Sequence, residues 1–195
     1  MPTLATIVQA AGSQESPVVN LTLSGLVFTA TRPTFMDPRS NPSGGYWSLE
    51  RSGAVLLQGT IGATVANCTF VRLDSNALFL SGFNRNCLIA QNQFSWLGQS
   101  AIAAWGLTIY NDGTNGDQPR GTVVWGNWIH EIGHYQKQSS CYFQAESAQT
   151  LLSSNICFNI PRAGINFNDG FGGGNELDSN LLFNTCRESS DHGLS

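Results

Sequence analysis

An asparagine followed by one or two residues and then a large apolar side chain recurs five times along this chain. The copies are Asn67-Cys68-Thr69-Phe70, Asn92-Gln93-Phe94, Asn127-Trp128-Ile129, Asn155-Ile156-Cys157-Phe158 and Asn180-Leu181-Leu182-Phe183. Successive asparagines lie 25, 35, 28 and 25 residues apart, and Ser24-Gly25-Leu26-Val27-Phe28 is a looser, earlier copy. After each asparagine and a polar bend comes a second apolar run, such as Ala77-Leu78-Phe79-Leu80, Ala101-Ile102-Ala103-Ala104 or Ala163-Gly164-Ile165-Asn166-Phe167. A short strand, an amide-bearing bend and another short strand, repeated at this period, describe one coil of a parallel β-helix. Its strands stack on those of the next coil about 4.8 Å away. Asparagine suits the bend for two reasons. It tolerates left-handed backbone angles, and its amide can bond the same amide one coil along.

Other repeat architectures fail on period or signature. A leucine-rich repeat needs a leucine scaffold that is absent here, and a propeller has longer antiparallel blades with a Trp-Asp signature. Composition agrees with many short strands and tight turns: 11% of residues are charged, 41% are hydrophobic, and the helix formers Glu and Lys are scarce. The formal net charge is −4 and Lys137 is the only lysine, which argues against a nucleic-acid binder working through a basic face. No run approaches the ~20 apolar residues of a membrane span.

The pattern reads as a single domain or fragment over residues 1–195, with an irregular segment at 1–17 and loop insertions at 31–52 and 107–121. These insertions carry Pro33, Pro38, Pro42, Gly44 and Gly45, and the run Asn111-Asp112-Gly113-Thr114-Asn115-Gly116-Asp117. Such loops either wall a binding groove or are tolerated surface insertions. The last five residues, from Asp191, begin what reads as another strand and break off, which predicts a truncated chain with an uncapped, association-prone end. The N-terminus lacks the basic and apolar regions of a signal peptide, and the compartment stays open. Five cysteines without Cys-x-x-Cys spacing (Cys68, Cys87, Cys141, Cys157 and Cys186) fit neither a disulfide framework nor a zinc ribbon; most are expected as small buried hydrophobes.

The Asn-x-Phe repeats, over roughly residues 18–193, resemble the right-handed parallel β-helix domains of the pectin-lyase-like superfamily. More narrowly, Arg162-Ala163-Gly164-Ile165-Asn166-Phe167-Asn168-Asp169-Gly170, Gly174-Asn175-Glu176 and Arg187-Glu188-Ser189-Ser190-Asp191-His192-Gly193 resemble a group of uncharacterised right-handed β-helix proteins. The resemblance implies a right-handed helix, here of five to six coils, carbohydrate chemistry and an extracellular or secretory setting. It carries over no catalytic residue, because no lyase or hydrolase motif is matched residue by residue.

Stacking equivalent positions yields candidate site residues. Seven residues after the asparagines stand Asp74, Gln99, His134, Arg162 and Arg187. One polar group per coil would repeat at nearly the spacing of sugar units in an extended polysaccharide. Arginine offers bidentate donors to carboxylates or neighbouring hydroxyls. At the end of the second strand the column holds Ser81, Trp105, Gln144 or Glu146, and Asp169, with Trp105 offering a stacking surface. Any stack of bends is polar, so the columns alone do not separate binding from solvation. Two carboxylates about 5 Å apart suit a retaining glycosidase and ~6.5–9.5 Å an inverting one; Asp169 with Glu146, one coil apart, or with Glu176 or Asp191, could satisfy either. A lyase or uronate epimerase would instead need a cation, arginine or calcium, beside the uronate carboxylate and a base such as His192 or His134. The run 166–176 departs from an EF-hand loop because Ile165 and Phe167 fall on ligand positions.

His130-Glu131-Ile132-Gly133-His134 matches the zinc-peptidase motif His-Glu-x-x-His, which works on a helix; Glu146 would be its third ligand. Gly133 and the strand-and-bend context argue for a coil bend instead. The reading favoured by the residues is glycosidic cleavage of a polysaccharide. Asp169 and Glu188 serve as acid/base carboxylates with His192 assisting, while Arg162, Arg187, Trp105 and His134 bind substrate, with no cofactor. A polysaccharide lyase or epimerase, a non-catalytic carbohydrate-binding or structural β-helix, and a zinc peptidase through His130, His134 and Glu146 remain as alternatives.

Overall fold

The computed structural model describes residues 2–38, 48–109, 112–169, 172–189 and 193. Among them the chain winds through six coils. The first holds β1 (Val8–Ala11), β2 (Val18–Val19), β3 (Thr22–Ser24) and β4 (Val27–Phe28), and the second β5 (Val55–Ile61), β6 (Thr64–Ala66) and β7 (Thr69–Leu73). The third holds β8 (Leu78–Arg85), β9 (Leu88–Ala90) and β10 (Gln93–Leu97), and the fourth β11 (Ile102–Trp105), β12 (Pro119–Arg120), β13 (Val123–Trp125) and β14 (Trp128–His130). The fifth holds β15 (Tyr142–Ala145), β16 (Leu151–Ser153) and β17 (Ile156–Phe158), and the sixth β18 (Ile165–Asn168), β19 (Glu176–Asp178) and β20 (Leu181–Phe183). Every pairing between named strands is parallel, and equivalent strands form three sheets: β1-β5-β8-β11-β15-β18, β3-β6-β9-β13-β16-β19 and β4-β7-β10-β14-β17-β20. This is an all-β, right-handed parallel β-helix. Among the described residues no helix is long and apolar enough to cross a membrane.

Parallel register puts like residues on like. Phe28, Phe70 and Phe94 stack inside with ring centroids 4.7 Å apart at each step. Val55, Leu78, Ile102, Tyr142 and Ile165 form a second interior column. Each fully buried aliphatic or aromatic side chain contributes roughly 1.5–3 kcal/mol.

The asparagine repeat resolves into two adjacent columns with separate jobs. Asn92, Asn127, Asn155 and the half-buried Asn180 form an amide ladder, in which the Oδ1 of Asn127, Asn155 and Asn180 each accepts both the backbone N–H and the Nδ2 of the preceding asparagine at 2.9–3.0 Å. Asn67 is not on it. Thr69 pairs with Gln93, so Cys68 faces Asn92 and donates its backbone N–H to the Asn92 Oδ1. Asn67 (φ 54°) instead belongs to the left-handed bend column of Gln91, Gly126, Ser154 and Ser179. The correction also moves Asp74 out of the column of Gln99, because Leu73 pairs with Leu97 and Asp74 therefore stands beside Gly98.

The cysteine expectation needs a second correction. Cys141 and Cys157 form a disulfide across the interior of the fifth coil. Cys157 occupies the position of Phe70, Phe94 and Ile129, so a covalent bridge fills space that a large side chain fills elsewhere. Cys68 and Cys87 are free and buried, as expected.

The 107–121 insertion interrupts a first-sheet strand. β8 runs unbroken for 8 residues and pairs with β11 along its first half and with β12 along its second, and the loop leaves between them. The 31–52 insertion returns over the outer face of the same sheet. There Leu49 packs with Phe79, Ala103, Trp105, Phe143 and Ala145 in a second apolar cluster; residues 39–47 lie outside the described residues.

Candidate active site

At one register of the first sheet the backbone kinks into the left-handed region in four of the second to sixth coils, Gly106 being the exception. The residues before the kink, Gln58, Ser81, Trp105, Ala145 and Asn168, pair in order. At the kink come Gly59 (φ 62°), Gly82 (φ 59°), Gly106, Glu146 (φ 50°) and Asp169 (φ 35°). Three coils use glycine because neighbours crowd the site. A Cβ on Gly59 would lie 2.1 Å from the Gly12 carbonyl carbon, one on Gly82 2.9 Å from the Asp117 Oδ1, and one on Gly106 2.4 Å from the Glu146 oxygen. The fifth and sixth coils place carboxylic acids there instead, in a conformation that costs a residue with a Cβ about 1 kcal/mol or more.

Glu146 and Asp169 therefore stand one coil apart, and the Glu146 N–H donates to the Asp169 carbonyl at 3.3 Å. The Thr108 N–H donates to the Glu146 Oε2 at 3.3 Å. The Asp169 Oδ2 is buried with no hydrogen-bond partner among the described residues. Behind the kink lies Arg51, which donates to the carbonyls of Trp105 and Gly106 at 2.8 and 2.9 Å and to the Ser81 hydroxyl at 3.1 Å. Burial pushes the Arg51 guanidinium down to about 10, against the pull of Glu146 and Asp117, so it stays a cation at neutral pH.

Residues 107–109 leave the kink at the fourth coil, and residues 112–118 of the same loop lie over earlier coils. The Leu107 N–H donates to the Asp117 carbonyl at 2.7 Å, and Arg85 reaches the carbonyls of Gly116, at 2.6 Å, and Gln118. With residues 12–15 it encloses an open cavity of about 350 Å³ whose walls carry the carboxylates of Glu15 and Asp117 and the side chains of Gln14 and Gln58. Hydrogen bonds from its own backbone N–H and from the Ser13 hydroxyl hold the Glu15 carboxyl below its ordinary range. Glu15, Asp117, Glu146 and Asp169 thus form an acidic row along the kinked edge, with Arg51 behind it.

The other expected residues divide. Glu188 stands where the chain enters the first sheet and Asp169 where it leaves; a four-residue strand spans ~13 Å, beyond the ~9.5 Å of an inverting pair, so the structure does not bring these two together. Glu188 instead pairs with Lys137 at 2.9 Å on the surface. Arg187 beside it is exposed. Arg162 is 5% exposed, and burial lowers its guanidinium from the ordinary value; it lies within the corner, not along an outer stripe. Gln99 is also buried and donates to Thr34 and Glu50. Trp105 is no open platform: it is 6% exposed and the Arg51 guanidinium lies 4.1 Å from its ring centroid. His192 and Asp191 lie outside the described residues.

The His-Glu-x-x-His stretch is strand and turn, with Glu131 in a left-handed bend (φ 47°). His130 Nδ1 is hydrogen-bonded to Glu131 Oε2, whose Oε1 accepts from the Asn159 Nδ2 at 2.6 Å. The His130 ring stacks on Phe158, and the His134 ring on Trp96. Glu146 is on another sheet, and among the described residues no three His, Cys, Asp or Glu side chains gather to hold a metal. The helix that the motif requires is absent. Sequence reasoning passed over Glu15, Asp117 and Arg51, which sit in irregular loops. The glycines aligned with Glu146 and Asp169 were the available signal for the kink.

No family model matches the chain, and no curated protein matches it. A solved structure titled "Glycoside hydrolase" superimposes with a TM-score of 0.74 at 15% sequence identity, over 89% of this chain and 34% of that one. The chain thus spans about a third of that structure's length, and at this identity the likeness is one of fold.

Proposed function

We propose that this β-helix cleaves glycosidic bonds of a polysaccharide at the first-sheet kink, with Glu146 and Asp169 as the working pair. The observation that carries the reading is their placement one coil apart, at the register position that other coils reserve for glycine. Coil spacing of about 4.8 Å lies nearer the ~5–5.5 Å of a retaining pair than the spacing of an inverting one. In that chemistry Asp169, through its buried Oδ2, delivers a proton to the leaving glycosidic oxygen. Glu146, oriented by the Thr108 N–H, attacks the anomeric carbon to form a glycosyl ester. Asp169 then takes a proton from the water that hydrolyses it. Arg51 offsets the charge of the acidic row, and the Glu15–Asp117 cavity receives neighbouring sugar units. Arg187 and Glu188, at the far edge of the sheet, contact more distant ones.

The test is a reducing-end assay on a panel of neutral and acidic polysaccharides, with absorbance of unsaturated uronates followed in parallel. Hydrolysis predicts new reducing ends without that absorbance. Glu146→Gln and Asp169→Asn should each lower the rate by about 10²-fold or more while leaving the melting temperature in place. Uronate absorbance, or undiminished rates in both variants, would refute the assignment.

A further inference from the structure

We infer that a second saccharide site lies on the opposite corner of the coil, where the third sheet turns back into the first, and that it takes one pyranose unit of a neutral polysaccharide. The inference does not depend on the catalytic reading of the kink.

A cavity of about 310 Å³ opens there, lined by Arg72, Asp74, Trp96, Gly98, His134 and Tyr135. Its size is at the lower end of small-molecule pockets, suited to one sugar ring. Trp96 sits in the left-handed column that leaves the third sheet, with Arg72, Glu131, Asn159 and Asn184. The column also holds the small Ala30; Arg72, Glu131, Asn159 and Asn184 are polar, and the last three are joined by side-chain hydrogen bonds. Trp96 is 53% exposed, an apolar surface that the fold leaves in water.

Aromatic partners hold the site's shape. The Trp96 and His134 rings are nearly parallel, 7° apart, with centroids at 5.4 Å, and Tyr135, 49% exposed, stacks on Phe35 at 5.1 Å. Gly98 forms the floor for a steric reason. A Cβ there would come 2.7 Å from the Asp74 carbonyl carbon and 2.8 Å from the Tyr135 Cδ2. The N–H groups of His134 and Tyr135 donate to the carbonyls of Leu97 and Gly98, each at 3.0 Å, and pin the turn.

The polar groups indicate the ligand. Asp74 is fixed through its backbone, which bonds Thr31 and Thr34, yet neither its carboxylate nor the Arg72 guanidinium has a hydrogen-bond partner among the described residues. The negative face of an aromatic ring attracts the C–H groups on one side of a pyranose. A carboxylate accepts from two sugar hydroxyls, and a guanidinium donates to a third oxygen. Arg72 and Asp74 cancel in charge and the chain carries −4 overall, so a neutral sugar fits better than a polyuronate.

Titration calorimetry of the full chain with cellohexaose, xylohexaose and mannohexaose, and with hexagalacturonate as the acidic arm, tests this. At least one neutral hexasaccharide should bind. Trp96→Ala and Asp74→Asn should each weaken that binding by about tenfold or more without changing the melting temperature. Glu146→Gln and Asp169→Asn should leave it intact, which separates failure here from failure of the kink reading. Four outcomes overturn the inference: no neutral hexasaccharide bound at millimolar concentration, binding indifferent to both corner variants, tighter binding of hexagalacturonate, or a change of oligomeric state in Trp96→Ala with no sugar bound by the unaltered chain.

Discussion

The amide ladder between the second and third sheets and the carboxylate row on the first-sheet kink are products of the same parallel register, yet they end in opposite states. In the ladder, Asn127 takes two donors on its Oδ1 and gives its own Nδ2 to the Ile89 carbonyl and the Asn155 Oδ1. Its amide is satisfied on both sides and buried. On the kink, Glu146 and Asp169 occupy a conformation that glycine serves elsewhere, and Asp169 keeps a buried oxygen without a partner among the described residues. A polar column that completes its own hydrogen bonds builds the fold. On the proposed reading, the strained column that leaves bonding capacity open acts on the substrate.

The sharpest break of this contrast is Asn127→Ala. It strips the acceptor from the Asn92 N–H and amide and the donor from the Ile89 carbonyl, and at roughly 1–3 kcal/mol per orphaned buried group it should cost about 4 kcal/mol in urea denaturation. A loss under about 1 kcal/mol would mean that the ladder is incidental. Reducing the Cys141–Cys157 bridge, which closes a loop of sequence separation 16, should lower stability by about 3 kcal/mol, measured as the shift of the urea midpoint with and without reductant.

On the kink the sign should depend on the coil. Gly59→Ala drives a Cβ into the Gly12 backbone and should cost about 3 kcal/mol in the same denaturation experiment. Glu146→Gly, at the equivalent register, relieves the left-handed strain and should leave stability unchanged or raise it by up to about 1 kcal/mol while abolishing turnover. If Glu146→Gly destabilised as much as Gly59→Ala, the glutamate would be structural and the contrast would fail.

The coil was legible because an Asn-x-Phe period can satisfy its apolar residues only by stacking them. The ladder was legible for four of its five proposed members. Asn67 misled because two neighbouring columns, one needing a left-handed bend and one needing an amide, both accept asparagine, and only register separates them. Asp169 and its neighbour Glu146 one coil away could be lined up by counting from the second strand. Glu188 could not be excluded that way, because a sequence column does not say which end of a sheet a residue occupies. Trp105 and Arg162 read as surface residues until the 31–52 loop and the corner packing buried them. Glu15 and Asp117 reach the site through irregular loops that no periodicity indexes.

The most direct measurement is a cycle of kcat/KM for the unaltered chain, Glu146→Gln, Asp169→Asn and the double variant, on whichever polysaccharide yields reducing ends. Two carboxylates acting as one unit predict that the double variant is about as slow as the worse single one, since either loss already stops the shared step. Single losses that multiply in the double variant, or that vanish, would contradict the pairing.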